Sequence, residues 1–273
     1  MHSRLTHAVG VDVGGTKIAA GLVELASGLV LERAEIPTGA ERGGAAVLND
    51  CAALALRLGG DQLPVGIGLC ELVDLAGRPA SADTIDWRGL DVAAAFGAPQ
   101  VVLDSDVRAA ARAEAQFGAG AGRSPFLHVV VGTGASACLV VGGEPYAGAH
   151  GHAIVLGAPP VEGVSSGSAL ARRAGVERAE EVLADPARSG LVEEAALALG
   201  RVLAVLANAL DPEVIVLGGG LGSQPAFHER VAAATGPLVA YPSLRPLEIV
   251  VAQLGSNGGI VGAALATGWD RGR

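Results

Sequence analysis

Aromatic side chains make up only 3% of this 273-residue chain, although half of its residues are hydrophobic. Its core must therefore be built from Ala, Val and Leu. Cysteine is almost as scarce: Cys51, Cys70 and Cys138 are scattered, with no CxxC or CxC pair. That excludes a disulfide framework and a cysteine zinc site. Positive charge is in deficit, with a net charge of −9 and no basic patch, so nucleic acid is not expected as a partner. No apolar run reaches a membrane-spanning length without interruption, and the opening MHSRLTHAVG has no apolar signal-peptide core. A cytoplasmic protein with no membrane partner is expected. The length suits one large or two medium domains with a sizeable core.

Lysine is nearly absent as well. Of 19 basic residues only Lys17 is a lysine, and it stands in the most informative stretch, VGVDVGGTKIAAGLV over 9–23. An apolar strand carrying Asp12 turns on Gly14, Gly15 and Thr16 and leaves as a second strand. Without a Cβ, Gly14 and Gly15 let an anion approach backbone N–H groups, and Thr16 and Lys17 add a hydroxyl and a cation. The turn reads either as an ordinary tight hairpin or as a cradle for nucleotide phosphates and their metal ion.

Periodicity predicts strands over 9–13, 18–23, 29–36, 65–69 and 100–103, and helices over 43–58 and 104–117. Residues 83–90 read as a polar loop carrying Trp87. After a Gly-rich break at 118–123 the opening theme returns. Strands over 127–131 and 137–141 flank Gly132, Thr133 and Gly134, with Val13 matching Val131, Ala19 matching Ala137 and Val23 matching Val141. Helices over 166–174, 176–183, 191–210, 226–234 and 258–266 follow, with strands over 214–217 and 249–252. The strand at 214–217 runs into Gly218, Gly219 and Gly220, a bare junction on which a ring or ribose can lie. A strand–glycine turn–strand unit repeated at half length implies two similar lobes, with phosphates held in a cleft between two glycine turns.

The ordered set DVGGTK at 12–17, Gly66-Ile67-Gly68, Val73-Asp74, Ser105-Asp106 before a helix containing Glu114, Gly132-Thr133-Gly134, Ser166-Gly167 and Leu217-Gly218-Gly219-Gly220 resembles the ROK family of bacterial sugar kinases and repressors. That family lies within the actin-like and hexokinase superfamily. The resemblance covers nearly the whole chain. It implies an α/β fold of two actin-like, ribonuclease H-like lobes, each a mixed sheet with flanking helices, divided as 1–105 plus 257–273 and 106–256. ROK repressors carry a helix-turn-helix before the DxGGTK strand. Only eight residues precede that strand here, so the kinase branch is expected. The alternative is a catalytically silent ROK-type sensor.

The resemblance also implies roles. ATP phosphates are expected near Gly14, Gly15, Thr16 and Lys17 and near Gly132, Thr133 and Gly134, with adenosine near Gly218, Gly219 and Gly220. Asp12 resembles the carboxylate that organises Mg²⁺. Asp106 resembles the base that takes a proton from the sugar's primary hydroxyl, although an Asp at a helix start is also a good N-cap. A homodimer is expected.

The departures cluster on the sugar side. Where the family has ExGH, this chain has Val155, Leu156, Gly157 and Ala158, and the cysteine-rich zinc loop is missing, so no zinc is expected. Glu162 resembles the glutamate after that loop. Ser105 stands where Asn precedes the base, Asp83 where Asn precedes the GW pair, and Cys70-Glu71 where Pro-Gly follows the GIG strand. Glu71, Asp83, Ser105, His150, His152 and Glu162 are the candidate acceptor contacts beside Asp106. Several of them read equally well as solvated loop residues. The implied acceptor is an aminosugar, a seven-carbon cyclitol or another non-standard hexose rather than glucose.

Overall fold

The computed structural model describes residues 5–156, 161–240 and 246–268. In chain order the strands are β1 (His7–Val13), β2 (Lys17–Glu24), β3 (Leu29–Pro37), β4 (Val65–Leu69), β5 (Val101–Ser105), β6 (Phe126–Val131), β7 (Ala135–Val141), β8 (Glu144–Pro145), β9 (Val214–Gly218) and β10 (Glu248–Val251). The helices are α1 (Gly44–Arg57), α2 (Asp106–Phe117), α3 (Glu162–Ser165), α4 (Gly167–Ala174), α5 (Ala179–Ala184), α6 (Ser189–Leu210), α7 (Pro225–Thr235) and α8 (Gly258–Ala266).

Two five-stranded sheets form, ordered β3-β2-β1-β4-β5 and β10-β9-β6-β7-β8. Each sheet has the same arrangement: a three-stranded antiparallel meander whose first strand pairs in parallel with the next strand of the chain, which in turn pairs in parallel with the one after it. The two-lobed α/β expectation stands, and the half-length repeat is a repeat of topology.

The repeat differs from the sequence alignment by one residue. Val13 pairs with Ile18 across the first turn, whereas Val131 pairs with Ala135 across the second. The second turn is one residue shorter, so Ala137 corresponds to Ala20 rather than Ala19, and Val140 rather than Val141 corresponds to Val23. The helix expected from residue 104 begins at Asp106, because Asp104 and Ser105 remain in β5.

The chain divides into one unit of Met1–Phe117, Ala147–Ala153 and Ser256–Arg273 and another of Gly118–Tyr146 and Ile154–Gly255. The break falls after Phe117 instead of after Ser105, because α2 packs on α8 within the first unit.

In the first unit the strand pleat sorts side chains by period two. Val9, Val11 and Val13 of β1 and Val65, Ile67 and Leu69 of β4 join Val47, Leu48, Cys51 and Leu54 of α1 in one core. Trp87, expected in a polar loop, is buried in that core. The opposite pleat positions are Gly10, Gly66 and Gly68, and they admit backbone instead of side chains. A Cβ on Gly10 would stand 1.9 Å from the Ile260 carbonyl oxygen, and one on Gly66 would stand 1.7 Å from that of Ala263. Helix α8, GGIVGAALA, is small enough to lie directly on those strands, and all but one of its residues are buried.

The second unit places Leu127, Val129, Val131, Ile215 and Leu217 against Leu170 of α4, Val182 of α5, Leu199 and Leu203 of α6 and Phe227 of α7. No helix of the described residues is long and apolar enough to cross a membrane.

Candidate active site

In the first unit the carboxyl ends of β1, β4 and β5 bring Asp12, Gly68 and Asp104 into register. Such strand ends are where open α/β sheets build ligand sites. Asp106 follows at the first residue of α2, and a Cβ on Gly68 would stand 3.3 Å from the Asp106 Cα. The bare Gly68 therefore lets the two acid-bearing segments close on each other. Asp106 is half-buried, and its Oδ1 accepts the Val107 N–H at 2.7 Å. Burial, then the Asp12 carboxylate and further off that of Glu71, push its pKa up to about 7. Burial likewise raises Asp12 to about 6, against the pull of Lys17 and Arg33. Two carboxylates that resist ionising side by side suit a site that takes a proton or a cation.

The N-cap role divides from the acid. Ser105 Oγ accepts the Arg108 N–H at 3.4 Å, so Ser105 caps α2. Ser105 is fully buried and gives its hydroxyl oxygen to this cap, which argues against the expected acceptor contact.

Glu71 is also corrected. It is 4% exposed, and its carboxylate accepts four hydrogen bonds: from Ser81 Oγ, from the Asp83 N–H at 2.9 Å, and from the Thr84 and Ile85 N–H groups, both at 2.7 Å. Four bonds fill the acceptor capacity of a carboxylate. Glu71 is thus committed to shaping the loop 81–85 and has nothing left for a substrate. The loop in turn reaches the phosphate-type turn, where a Cβ on Gly15 would stand 3.1 Å from Thr84 Cγ2. Asp83 itself is exposed. The Cys70 thiol borders this cluster, and burial, with Asp106 and Glu71 nearby, pushes its pKa up and keeps it protonated.

A Glu71→Gln variant puts an amide donor among N–H donors. We expect it to cost about 2–3 kcal/mol, measured by denaturant unfolding. Removing the Glu71 charge should also lower the Asp106 pKa, moving the acid limb of the kcat/KM profile to lower pH. An unchanged unfolding midpoint would contradict this account.

The turn at Gly14–Thr16 is braced by Thr38, which sequence reasoning missed. Thr38 is fully buried, its Oγ1 donates to the Gly14 carbonyl at 2.7 Å, and its N–H donates to the Thr16 carbonyl at 3.0 Å. A lone threonine after a strand carries no motif, so nothing in the sequence marked it. Gly259 was missed too: its Cα backs directly onto the Asp12 carboxylate, where a Cβ would stand 2.4 Å from Asp12 Cγ. Two glycines opening a helix were the available signal.

Lys17 does not lie over the turn. Its Nζ sits 3.1 Å from Glu35 Oε2, which Arg33 also holds at 2.5 Å, and its side chain is 49% exposed. Lys17 and Arg33 keep the Glu35 carboxyl low. An exposed pair of this kind is worth about 0–1 kcal/mol, so an arriving phosphate can take the ammonium. His150 and His152 are exposed on either side of the buried Gly151, with ring centroids 6.3 Å apart.

In the second unit the Gly132–Gly134 turn is closed by a bond from the Gly132 N–H to the Gly134 carbonyl at 2.9 Å. The N-terminus of α4 backs it: the Gly167 N–H donates to the Gly132 carbonyl at 2.7 Å, and Ser168 Oγ donates to the Thr133 carbonyl at 2.6 Å. Glu162 stands beside Gly134, where a Cβ would meet its Oε1 at 2.5 Å. The Gly218–Gly220 junction lies against the same turn. Gly219, at φ 84°, uses its bareness to admit the Val131 carbonyl at 2.4 Å from a would-be Cβ, so the fold itself requires a glycine there. Gly220 and Gly132 leave their faces open, and the nearest atom to a Cβ on Gly132 is the Gly220 nitrogen at 4.0 Å.

Asp12 and Asp106 fit a magnesium ion, because Mg²⁺ uses one or two carboxylates together with phosphate oxygens and water. Among the described residues no three His, Cys, Asp or Glu side chains converge as metal ligands. The expectations at Gly157 and Ala158, where a zinc ligand is replaced, lie outside the described residues.

The family model described as ROK family matches residues 8–267. A glucokinase of Streptomyces coelicolor is 30% identical, the match covering 94% of this chain and 96% of that protein. An N-acetylmannosamine kinase of Yersinia pseudotuberculosis is 28% identical, covering 96% of this chain and 97% of that one. The solved ROK family glucokinase of Streptomyces griseus, in complex with glucose and AMPPNP, superposes with a TM-score of 0.84 at 27% identity, covering 96% of this chain and 99% of that one.

Proposed function

The chain belongs to the ROK family, and from that premise we propose that it is an ATP-dependent kinase that phosphorylates a primary hydroxyl of a sugar or sugar-like polyol. The observation that carries the reading is the Asp12–Asp106 pair, two half-buried carboxylates that stand on β1 and just after β5, on either side of β4 and its bare Gly68, with pKa values raised to about 6 and about 7. A silent sensor has no use for a proton acceptor tuned close to neutrality. In this reading Asp106 accepts the proton as the hydroxyl oxygen attacks the γ-phosphorus, a new P–O bond forms, and the bond to the β-phosphate oxygen breaks to release ADP. In each glycine turn the first N–H, that of Gly14 or Gly132, closes the turn on itself, so phosphates would be received by the rest of each turn, where Gly15 and Gly134 carry no side chain, and Gly220 offers a bare surface for the nucleoside. Asp12 would hold magnesium, which when bound supplies charge neutralisation on the phosphates.

For the acceptor we infer an aminosugar, a seven-carbon cyclitol or another non-standard hexose in preference to glucose. Support comes from Val155 and Ala158 in the sequence, apolar where the family pattern has the Glu and the His of ExGH, and from the likeness to an N-acetylmannosamine kinase. Each lost hydrogen bond to a sugar hydroxyl costs about 1–3 kcal/mol, so glucose should fall at least tenfold in kcat/KM behind the true acceptor. An ADP-release assay over hexoses, aminosugars and cyclitols with Mg-ATP tests this. Glucose as the best acceptor would overturn the acceptor reading, and silence on every compound would overturn the kinase reading.

A further inference from the structure

One buried cation holds together three segments around Asp106. The Arg108 side chain is 5% exposed, and its Nε lies 2.5 Å from Asp104 Oδ1. Its Nη2 donates to the Val73 carbonyl at 2.9 Å, and its Nη1 donates to the Gly151 carbonyl. Asp104 is shared with Arg112, whose Nη2 lies 3.0 Å from Oδ2. Burial would raise the Asp104 carboxyl, but Arg112 and Arg108 outweigh it and keep it ionised. The guanidinium is therefore fixed at its base by an ion pair and spends its outer N–H groups on two backbone carbonyls far away in sequence.

The second carbonyl is the informative one. Gly151 is buried at φ 82°, and a Cβ there would stand 2.5 Å from the Val73 carbonyl oxygen. The short segment Ala147–Ala153 is thus pressed onto Val73 and Asp74 at a single bare residue and locked there by Arg108. On either side of that pin the exposed His150 and His152 project. Hydrogen bonding in a buried, charged setting gives such a pin directional rigidity that apolar packing lacks.

We propose that Arg108 is a positioning residue for acceptor recognition: it sets the His150–His152 segment relative to Asp106, two residues before it at the start of α2. The proposal rests on the kinase reading for its catalytic consequence, but the mechanical hold is testable without it. The Arg108 side chain is buried and its guanidinium is spent on protein groups. Its loss displaces the segment that reads the acceptor, while the glycine turns that hold phosphates keep their own braces, Thr38 in one unit and Gly167 and Ser168 in the other.

The test compares the full chain with Arg108→Met and Arg108→Lys by amide hydrogen exchange and by steady-state kinetics. The acceptor is the best one found among the hexoses, aminosugars and cyclitols assayed. Arg108→Met should speed exchange in residues 147–153 by about tenfold or more, and raise the acceptor KM by about tenfold or more. The ATP KM should stay within about twofold. Arg108→Lys should recover part of both, since an ammonium reaches fewer of the partners. If Arg108→Met fails to fold, Gly151→Ala loosens the same pin from the loop side without touching the buried charges, and the same readouts apply. Unchanged exchange in 147–153 overturns the proposal. So does faster exchange with an unchanged acceptor KM, or a loss confined to kcat. Should the wild-type protein turn over no acceptor, the kinase reading fails by itself, and the exchange result still decides whether Arg108 holds the loop.

Discussion

Asp106→Asn should abolish most turnover and yet leave the protein more stable above neutral pH. The amide keeps the shape of the side chain and can still accept the Val107 N–H, while the basic oxygen is lost. A positioned general base is worth roughly 10²–10⁴-fold, so turnover should drop by that amount with ATP affinity intact. The stability effect follows from linkage. The pKa of Asp106 rises from an ordinary 3.8 to about 7 in the folded protein. A carboxyl raised in this way favours folding when both states are protonated, below about pH 4, and that contribution is lost as the pH climbs through 7. At pH 8 the folded protein carries an ionised Asp106 beside Asp12 at a cost, and Asn removes it. Three pH units set an upper bound of about 4 kcal/mol, and partial exposure to water reduces it to about 1–2 kcal/mol. The melting temperature at pH 8 should therefore rise by roughly 2–6 °C, and the gain should shrink toward pH 5. The wild-type kcat/KM should rise with pH around an inflection near 7. Near-native turnover in the variant would move the base elsewhere. Glu71 is already committed to four hydrogen bonds, so Asp83 would be the next candidate. A variant less stable at pH 8 than at pH 5, relative to wild type, would refute the electrostatic account.

Adding one methyl group where α8 meets the first sheet should unfold the protein. A Cβ on Gly262 would stand 1.6 Å from the Ala109 carbonyl oxygen, and one on Gly66 would stand 1.7 Å from that of Ala263. Both neighbours are backbone, so no side chain can swing aside; whole elements must separate. Taken alone, Gly→Ala within a helix favours folding by about 1 kcal/mol, so helix propensity and packing pull in opposite directions at Gly262. Overpacking in a tight core costs about 1–3 kcal/mol when side chains can adjust. With backbone on both sides we expect more than about 4 kcal/mol, enough to consume much of a typical stability. Gly190→Ala in α6 is the control, since nothing lies within 4 Å of a Cβ there; it should be neutral or slightly stabilising. Thermal melts of the three variants decide it. A Gly262→Ala protein melting within a few degrees of Gly190→Ala would mean that α8 does not lie on the strands as described. The same displacement would pull Gly259 off Asp12, so any folded remnant should also lose activity.

What the sequence determined by itself was whatever depends on near neighbours. Alternation of apolar residues located the strands, and the glycine pairs located the turns between them. The recurrence of strand, turn and strand at half length announced a topology that both sheets share. Asp12 could be picked out because it stands just before a glycine turn and Asp106 because it follows a strand, where ligand sites of such sheets lie; Gly66-Ile67-Gly68 was marked only by the resemblance to the ROK family's ordered motifs. Only the tertiary structure decided which polar atoms remain available. Glu71 looked like an acceptor contact until the N–H groups of a loop ten and more residues away filled its carboxylate. Ser105 looked like an acceptor contact until α2 took its hydroxyl as a cap. Gly219 looked like a ligand platform until the Val131 carbonyl occupied its space. Arg108, with nothing in its local pattern to mark it, acquired three partners in three segments. For Glu71, Ser105 and Arg108 the physical reason is the same: a buried polar group must be paired, and its partner is chosen by which segments fold against it; at Gly219 the same folding decides which backbone fills the space, and no window of adjacent residues contains that information.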